Sequence, residues 1–218
     1  MYPFASWTGS KKTLRSLQAH QWRLLMSPET LKRCKGQSRP FWADGSEAPY
    51  ALDNGAWSAH QQNKPFDFAA FEWAFDRIGA KADWVVVPDV VGNAKATLAM
   101  AADWFERIEH GQKLIAVQDS MQPADIEPYM QQGAGIFVGG TTDWKLKSLP
   151  VWGELAKKHK AWLHVGRVNT VRRIRHCQQA GANSFDGTSA TRFSKNIPRL
   201  TRALNQLNLW GDYDPCAF

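Results

Sequence analysis

Three aspartates each end a short apolar run: Asp53 after Tyr50-Ala51-Leu52, Asp89 after Trp84-Val85-Val86-Val87-Pro88, and Asp186 after Asn183-Ser184-Phe185. A pair of carboxylates can cleave a glycosidic bond, one attacking the anomeric carbon while the other manages protons, through an oxocarbenium-like transition state. A third carboxylate beside an amide, here Gln118, can read a flat purine-like heterocycle. The carboxylate accepts from ring and exocyclic N–H groups, and the amide offers a donor and an acceptor. Gly139-Gly140 would let backbone N–H groups approach such a ring, since no side chain stands in the way. Trp7, Phe41, Trp42 and Trp57 are candidate stacking surfaces, although most of the eleven tryptophans are expected in the core.

Acids so far apart in sequence meet only if the fold carries them to one place. Runs of four to seven apolar residues alternate with longer amphipathic stretches, the signature of β-α units and a parallel sheet. Strands are predicted near 4–6, 23–26, 50–52, 84–87, 114–117, 135–138, 162–165 and 184–185. Helices are predicted from the aromatic stretch opened by Pro65 and Asp67 and ended at Gly79, and over 94–108, 123–131, 149–159, 170–180 and 197–207. Residues 27–49, with Pro28, Gly36, Pro40 and Gly45, read as a long loop with one turn of helix at 29–32, and 211–218 as a terminal strap or frayed end.

Eight strands in 218 residues predict a compact (β/α)8 TIM-like barrel, a single catalytic domain over 1–218. The rival is an open doubly wound sheet, but no G-x-G-x-x-G follows the first strand. In a barrel the residues just after each strand share one rim. Those positions read Asp53-Asn54-Gly55, Asp89, Gln118-Asp119, Gly139 to Thr142, Gly166-Arg167 and Asp186 to Ser189.

Composition narrows the partners. No run of about 18 apolar residues exists to span a membrane, and Lys11, Lys12 and Arg15 are not followed by a signal-like segment, so a cytoplasmic protein is expected. Cys34, Cys177 and Cys216 have no C-x-x-C spacing, and His159 and His164 have no partner ligand at a recognised spacing, so neither disulfides nor a metal site is expected. The net charge of +7 is unevenly spread: residues 1–40 carry eight Lys/Arg and one acid, 41–142 six and fourteen, 143–202 thirteen and three. Barrel closure would bring the two basic flanks together, a footprint suited to a polyanion such as nucleic acid. Solvated helix faces explain Lys157-Lys158-His159-Lys160 equally well.

The succession Leu52-Asp53-Asn54-Gly55, Val87-Pro88-Asp89, Ile115-Ala116-Val117-Gln118, Ile136-Phe137-Val138-Gly139-Gly140 and Ser184-Phe185-Asp186-Gly187 resembles the guanine transglycosylases. The likeness is nearest to their DNA-modifying branch in bacteriophages and bacterial modification clusters, and it runs from about Tyr50 to Arg192. It implies Asp186 as nucleophile, Asp53 as general acid/base, Asp89 and Gln118 as base readers and Gly139-Gly140 as the pocket segment, with Asn54 beside them. His164, Gly166, Arg167 and Asn169 would form a rim segment for phosphate or strand contact. The tRNA enzymes of this family carry a zinc site with clustered cysteines, which this chain lacks, so DNA is the more plausible polymer.

The resemblance thus implies exchange of guanine in DNA for a 7-deazaguanine, such as the 7-cyano form, through a covalent aspartyl-glycosyl intermediate and with no cofactor. The target base would be flipped out of the stack, with help from a partner protein if the duplex must be opened. Localisation would be cytoplasmic, in the host if the chain is phage-encoded. Arg167 and Arg192 are candidate cations beside Asp186, and Arg172, Arg173, Arg192, Lys195 and Arg199 would neutralise backbone phosphates. The alternatives are a tRNA-guanine transglycosylase, a hydrolytic N-glycosylase or glycosidase, and a non-enzymatic nucleic-acid-binding barrel.

Overall fold

A computed structural model describes residues 1–34 and 39–206. Eight parallel strands close in sequence order: β1 (Tyr2–Ser6), β2 (Arg23–Met26), β3 (Tyr50–Leu52), β4 (Val85–Val86), β5 (Lys113–Val117), β6 (Gly135–Val138), β7 (Leu163–Val165) and β8 (Ser184–Asp186). Closure is made by β1 pairing with β8 in the register Tyr2↔Ser184, Pro3↔Phe185 and Phe4↔Asp186. That pairing excludes the open sheet and establishes the (β/α)8 barrel.

The helices are α1 (Lys11–Ala19), α2 (Pro28–Arg33), α3 (Ala56–Gln61), α4 (Phe68–Ile78), α5 (Ala94–Trp104), α6 (Pro123–Gln131), α7 (Thr142–His159), α8 (Val171–Gln179), α9 (Thr188–Arg192) and α10 (Ile197–Asn205). Side-chain caps start several of them: Ser10 accepts from Thr13 N, Asp67 from Ala70 N, Asn93 from Ala96 N and Thr170 from Arg173 N. Three helices were not foreseen. α1 is polar apart from Leu14, Leu17 and Ala19, α3 is opened by the left-handed Gly55 (φ +85°), and α9 is five residues long. Helix α7 begins two turns earlier than expected, because Pro150 reads as a first-turn proline yet stands inside the helix on its exposed side. Gly36, Cys216, the last residue of the predicted 197–207 helix and the expected 211–218 strap lie outside the described residues.

Alternation along the strands sorts the core. Phe4, Leu25, Ala51, Trp84, Leu114 and Ala116 fill the cylinder with Phe137 and Trp162 against them. Their neighbours, such as Leu24, Leu52, Val85, Ile115, Val138 and Val165, pack outward under the helices. Stepping two residues on from the inward Ala51, Ala116, Phe137, His164 and Ser184 gives Asp53, Gln118, Gly139, Gly166 and Asp186. The pleat therefore aims these five positions at the axis, just above the hydrocarbon plug.

Candidate active site

Asp53, Asp89 and Asp186 line one cavity of about 90 Å3, together with Gln118, Gly139 and Arg167. Asp53 accepts from the Gly55 N–H (2.6 Å). Burial pushes its carboxyl up to about 7; the Gly55 bond opposes this, and the charges of Asp186 and Asp89 add to it.

Asp89 does not follow the inward alternation of β4. Instead it is held by two amides: Asn54 Nδ2 donates to Oδ1 (2.7 Å) and Gln118 Nε2 donates to Oδ2 (2.6 Å). Burial pushes it up to about 6 despite these two bonds. Asn54 is itself fully engaged, since Nδ2 also reaches Val87 O (2.9 Å) and Oδ1 takes the Ala56 N–H (2.8 Å). It therefore places Asp89 more than it reads a ligand.

Among the described residues, Asp186 is approached on one oxygen only. His164 Nε2 (3.1 Å) and the Arg167 N–H (3.3 Å) both meet Oδ1. His164, expected on the rim, is fully buried beneath it, packed on Phe4, Trp84 and Phe137. The Arg167 guanidinium turns away to donate to Gly140 O and to lie over Trp57. The expectation of Arg192 as a cation paired with Asp186 is not met: it is exposed at the end of α9 and makes no ion pair with Asp186 among the described residues.

The two glycines serve different ends. A Cβ on Gly139 would stand 3.2 Å from Val117 O and 3.5 Å from Gln118 Nε2, inside the site, whereas Gly140 (φ +66°) is required by its backbone and by Trp144 and Asp119, which a Cβ would overlap. Asp119 is structural, accepting from Thr141 N–H (2.6 Å) and Oγ1 (2.5 Å) and so tying the β5 and β6 loops together.

Lys145 was missed by sequence reading. It is buried and donates to Gly166 O from under the β7 loop, and burial pushes it down to about 7, with Arg167 adding to the effect and Asp186 opposing it. Phe137 and Ser184 were missed as well, although their inward parity was available from the strands. Of the candidate stacking residues, Trp42 is core and Trp57 reaches the cavity. Arg172, Lys195 and Arg199 are exposed and Arg173 half-buried, on α8, α10 and the turn before α10, two helices that pack together.

A larger cavity, about 350 Å3, lies between α2, α3 and α4. Its cations are already satisfied, Lys32 by Asp67 (3.8 Å) and Lys64 by Gln62 (2.9 Å), and its two acids, Glu29 and Asp67, are exposed at the starts of α2 and α4.

No protein-family model and no curated protein matches the chain. Among solved structures it is similar to 3-hexulose-6-phosphate synthase from Salmonella typhimurium (TM-score 0.56, 12% identity, 94% of this chain and 98% of that one). It is also similar to a protein described as a fructose-1,6-biphosphate aldolase from Coccidioides immitis (TM-score 0.55, 12% identity, 93% and 83%). A third is tryptophan synthase subunit alpha from Legionella pneumophila (TM-score 0.54, 10% identity, 95% and 93%). At these identities the likeness carries the barrel fold. It also corrects the expectation of a DNA-guanine transglycosylase: the three structures named are two synthases and an aldolase, and base exchange in DNA finds no support among them. No helix among the described residues is long and apolar enough to cross a membrane.

Proposed function

We propose that the chain is a glycosyl-transferring enzyme that works through a carboxylate nucleophile on a glycoside with a planar nitrogen heterocycle as leaving group. The observation that carries this reading is the sharing of one cavity by Asp53, Asp89 and Asp186, with Asp53 held up to about 7. Asp186 attacks the anomeric carbon, the carbon–nitrogen bond breaks, and the leaving nitrogen takes the proton of Asp53. Asp53, now ionised, takes the acceptor's proton as the acceptor attacks the same carbon and releases Asp186. The proton count closes and no oxidant or reductant is consumed. Asp89 and Gln118 orient the heterocycle, with Gly139 leaving room for it.

The exposed Arg172, Arg192, Lys195 and Arg199 support a substrate that carries phosphate. A cytoplasmic setting belongs to the same reading, supported by the free, buried Cys34 and Cys177.

The test is intact-mass spectrometry after incubation with purine nucleoside 5′-phosphates bearing 2′-fluorine, which slows release of a glycosyl-enzyme. One pentosyl adduct on Asp186, absent from Asp186→Asn, is expected. No adduct across the panel, together with no base released from the natural nucleotides, defeats the proposal.

A further inference from the structure

Beneath the cavity a line of polar atoms runs down the inside of the cylinder, from Asp186 to the half-buried Trp162. Ser184 and His164 are register partners on β8 and β7, and both are fully buried. Trp162 Nε1 lies 2.8 Å from Ser184 Oγ, Ser184 Oγ lies 2.8 Å from His164 Nδ1, and His164 Nε2 lies 3.1 Å from Asp186 Oδ1.

Counting protons gives this line a direction. An indole N–H only donates, so Trp162 occupies a lone pair of Ser184 and leaves the hydroxyl hydrogen to be given onward. Asp186 Oδ1 already accepts the Arg167 N–H, so it stands as the acceptor toward His164 as well and the hydrogen between them sits on Nε2. His164 Nδ1 is the acceptor within reach of the Ser184 hydroxyl hydrogen among the described residues, so the ring is neutral with a single hydrogen, and burial, which pushes His164 down against the opposing Asp186, favours the same form. Nδ1 is then bare, and Ser184 donates to it. Each donor has one acceptor and no hydrogen is left over.

The far end of the line breaks the symmetry of the carboxylate. Both protein donors to Asp186, His164 Nε2 and the Arg167 N–H, fall on Oδ1, and Oδ2 receives none among the described residues. Packing of His164 on Phe4, Trp84 and Phe137 fixes the plane of the ring and hence the direction of its N–H.

We infer that Trp162, Ser184 and His164 form a one-directional hydrogen-bond relay that positions Asp186, clamping Oδ1 and presenting Oδ2 as the attacking atom. These are positioning residues, because none of the three lines the cavity. The attacking role of Oδ2 rests on the glycosyl-transfer reading, whereas the relay does not.

Two measurements test it separately. In 15N-histidine NMR of the whole chain at pH 7, His164 is expected as the neutral tautomer, with a pyrrole-type Nε2 and a pyridine-type Nδ1. In Ser184→Ala the Nδ1 signal is expected to move downfield as its donor disappears. A charged His164, a hydrogen on Nδ1, or an Nδ1 signal indifferent to Ser184→Ala overturns the relay whatever the enzyme does.

In the 2′-fluoro nucleotide assay, His164→Leu is expected to slow labelling of Asp186 by about 10- to 100-fold, the scale of an ångström-level misplacement, and His164→Gln, which keeps an N–H donor, to recover part of it. Equal labelling rates in the wild type and both variants overturn the positioning role. If no protein is labelled while the tautomer is as stated, the glycosyl-transfer reading and the role of Oδ2 fail together and the relay stands.

Discussion

The Arg167 guanidinium carbon lies 4.2 Å over the Trp57 ring, although the two residues follow strands on opposite sides of the cylinder, β7 and β3. This contact spans the mouth of the cavity, whose volume of about 90 Å3 is below the roughly 300–1,000 Å3 usual for ligand sites. On the glycosyl-transfer reading, a heterocycle with its sugar needs the clasp to part.

Trp57→Ala should therefore admit ligand faster. The exposed cation–π contact is worth about 0.5–1 kcal/mol, so a small fall in melting temperature should accompany a faster association rate for a purine nucleoside 5′-phosphate in stopped-flow binding. An unchanged or slower association rate would show that the clasp does not limit entry.

Gln118→Ala leaves buried Asp89 with Asn54 as its remaining donor and should destabilise the fold by about 1–3 kcal/mol at neutral to alkaline pH. The sign follows from protonation. Gln118 lowers a carboxyl that burial has raised from 3.8 to about 6, so its loss raises the folded value further and penalises the ionised form. The deficit should be fully present above that value and fade as the pH falls toward the ordinary value of 3.8. Urea denaturation across this range reads it directly, and a deficit independent of pH would contradict the assignment.

Asp53→Asn should abolish transfer while stabilising the protein. A carboxyl raised from 3.8 to about 7 binds its proton more tightly when folded, so the wild type loses stability as the pH rises between those values and the amide does not. The Asn variant should melt higher than the wild type above pH 7, with the gain vanishing in acid. A variant that melts lower at every pH would show that Asp53 is held for stability.

Two glycine substitutions should separate fold from site. Gly153→Ala on α7 would bring its Cβ to 2.4 Å from Ala180 O and should cost about 1–3 kcal/mol by overpacking. Gly139→Ala meets its nearest atom at 3.2 Å and intrudes beside Gln118, so binding of the heterocycle should fall more than stability does. Calorimetric melting paired with titration of a purine nucleotide distinguishes the two losses.

Much of the barrel was legible because strand ends are written in local chemistry. Apolar runs stopped by Asp53, Asp89 and Asp186 gave the strands, and parity along them reaches Gln118 and Gly139. What escaped depends on contacts between distant segments. His164 reads as a rim residue until the register with Ser184 shows that it faces the inside, and Lys145 becomes notable only once α7 is laid under the Gly166 carbonyl. Helix α1 was missed because the barrel supplies the packing for a segment whose own apolar pattern is thin. Substrate class was the least legible: five motifs in order pointed to base exchange in DNA, and the solved structures named above, at 10–12% identity, lend that exchange no support.

At Gly187, a Cβ would sit 2.2 Å from Val168 O and 2.9 Å from Asn169 Oδ1. The segment that follows Asp186 and the loop after β7 thus touch backbone to backbone, with no slack between them. An added methyl at Gly187 would have to push the end of β8 off the loop after β7, so the aim of the Asp186 carboxylate and the reach of the Arg167 N–H to it would shift as one.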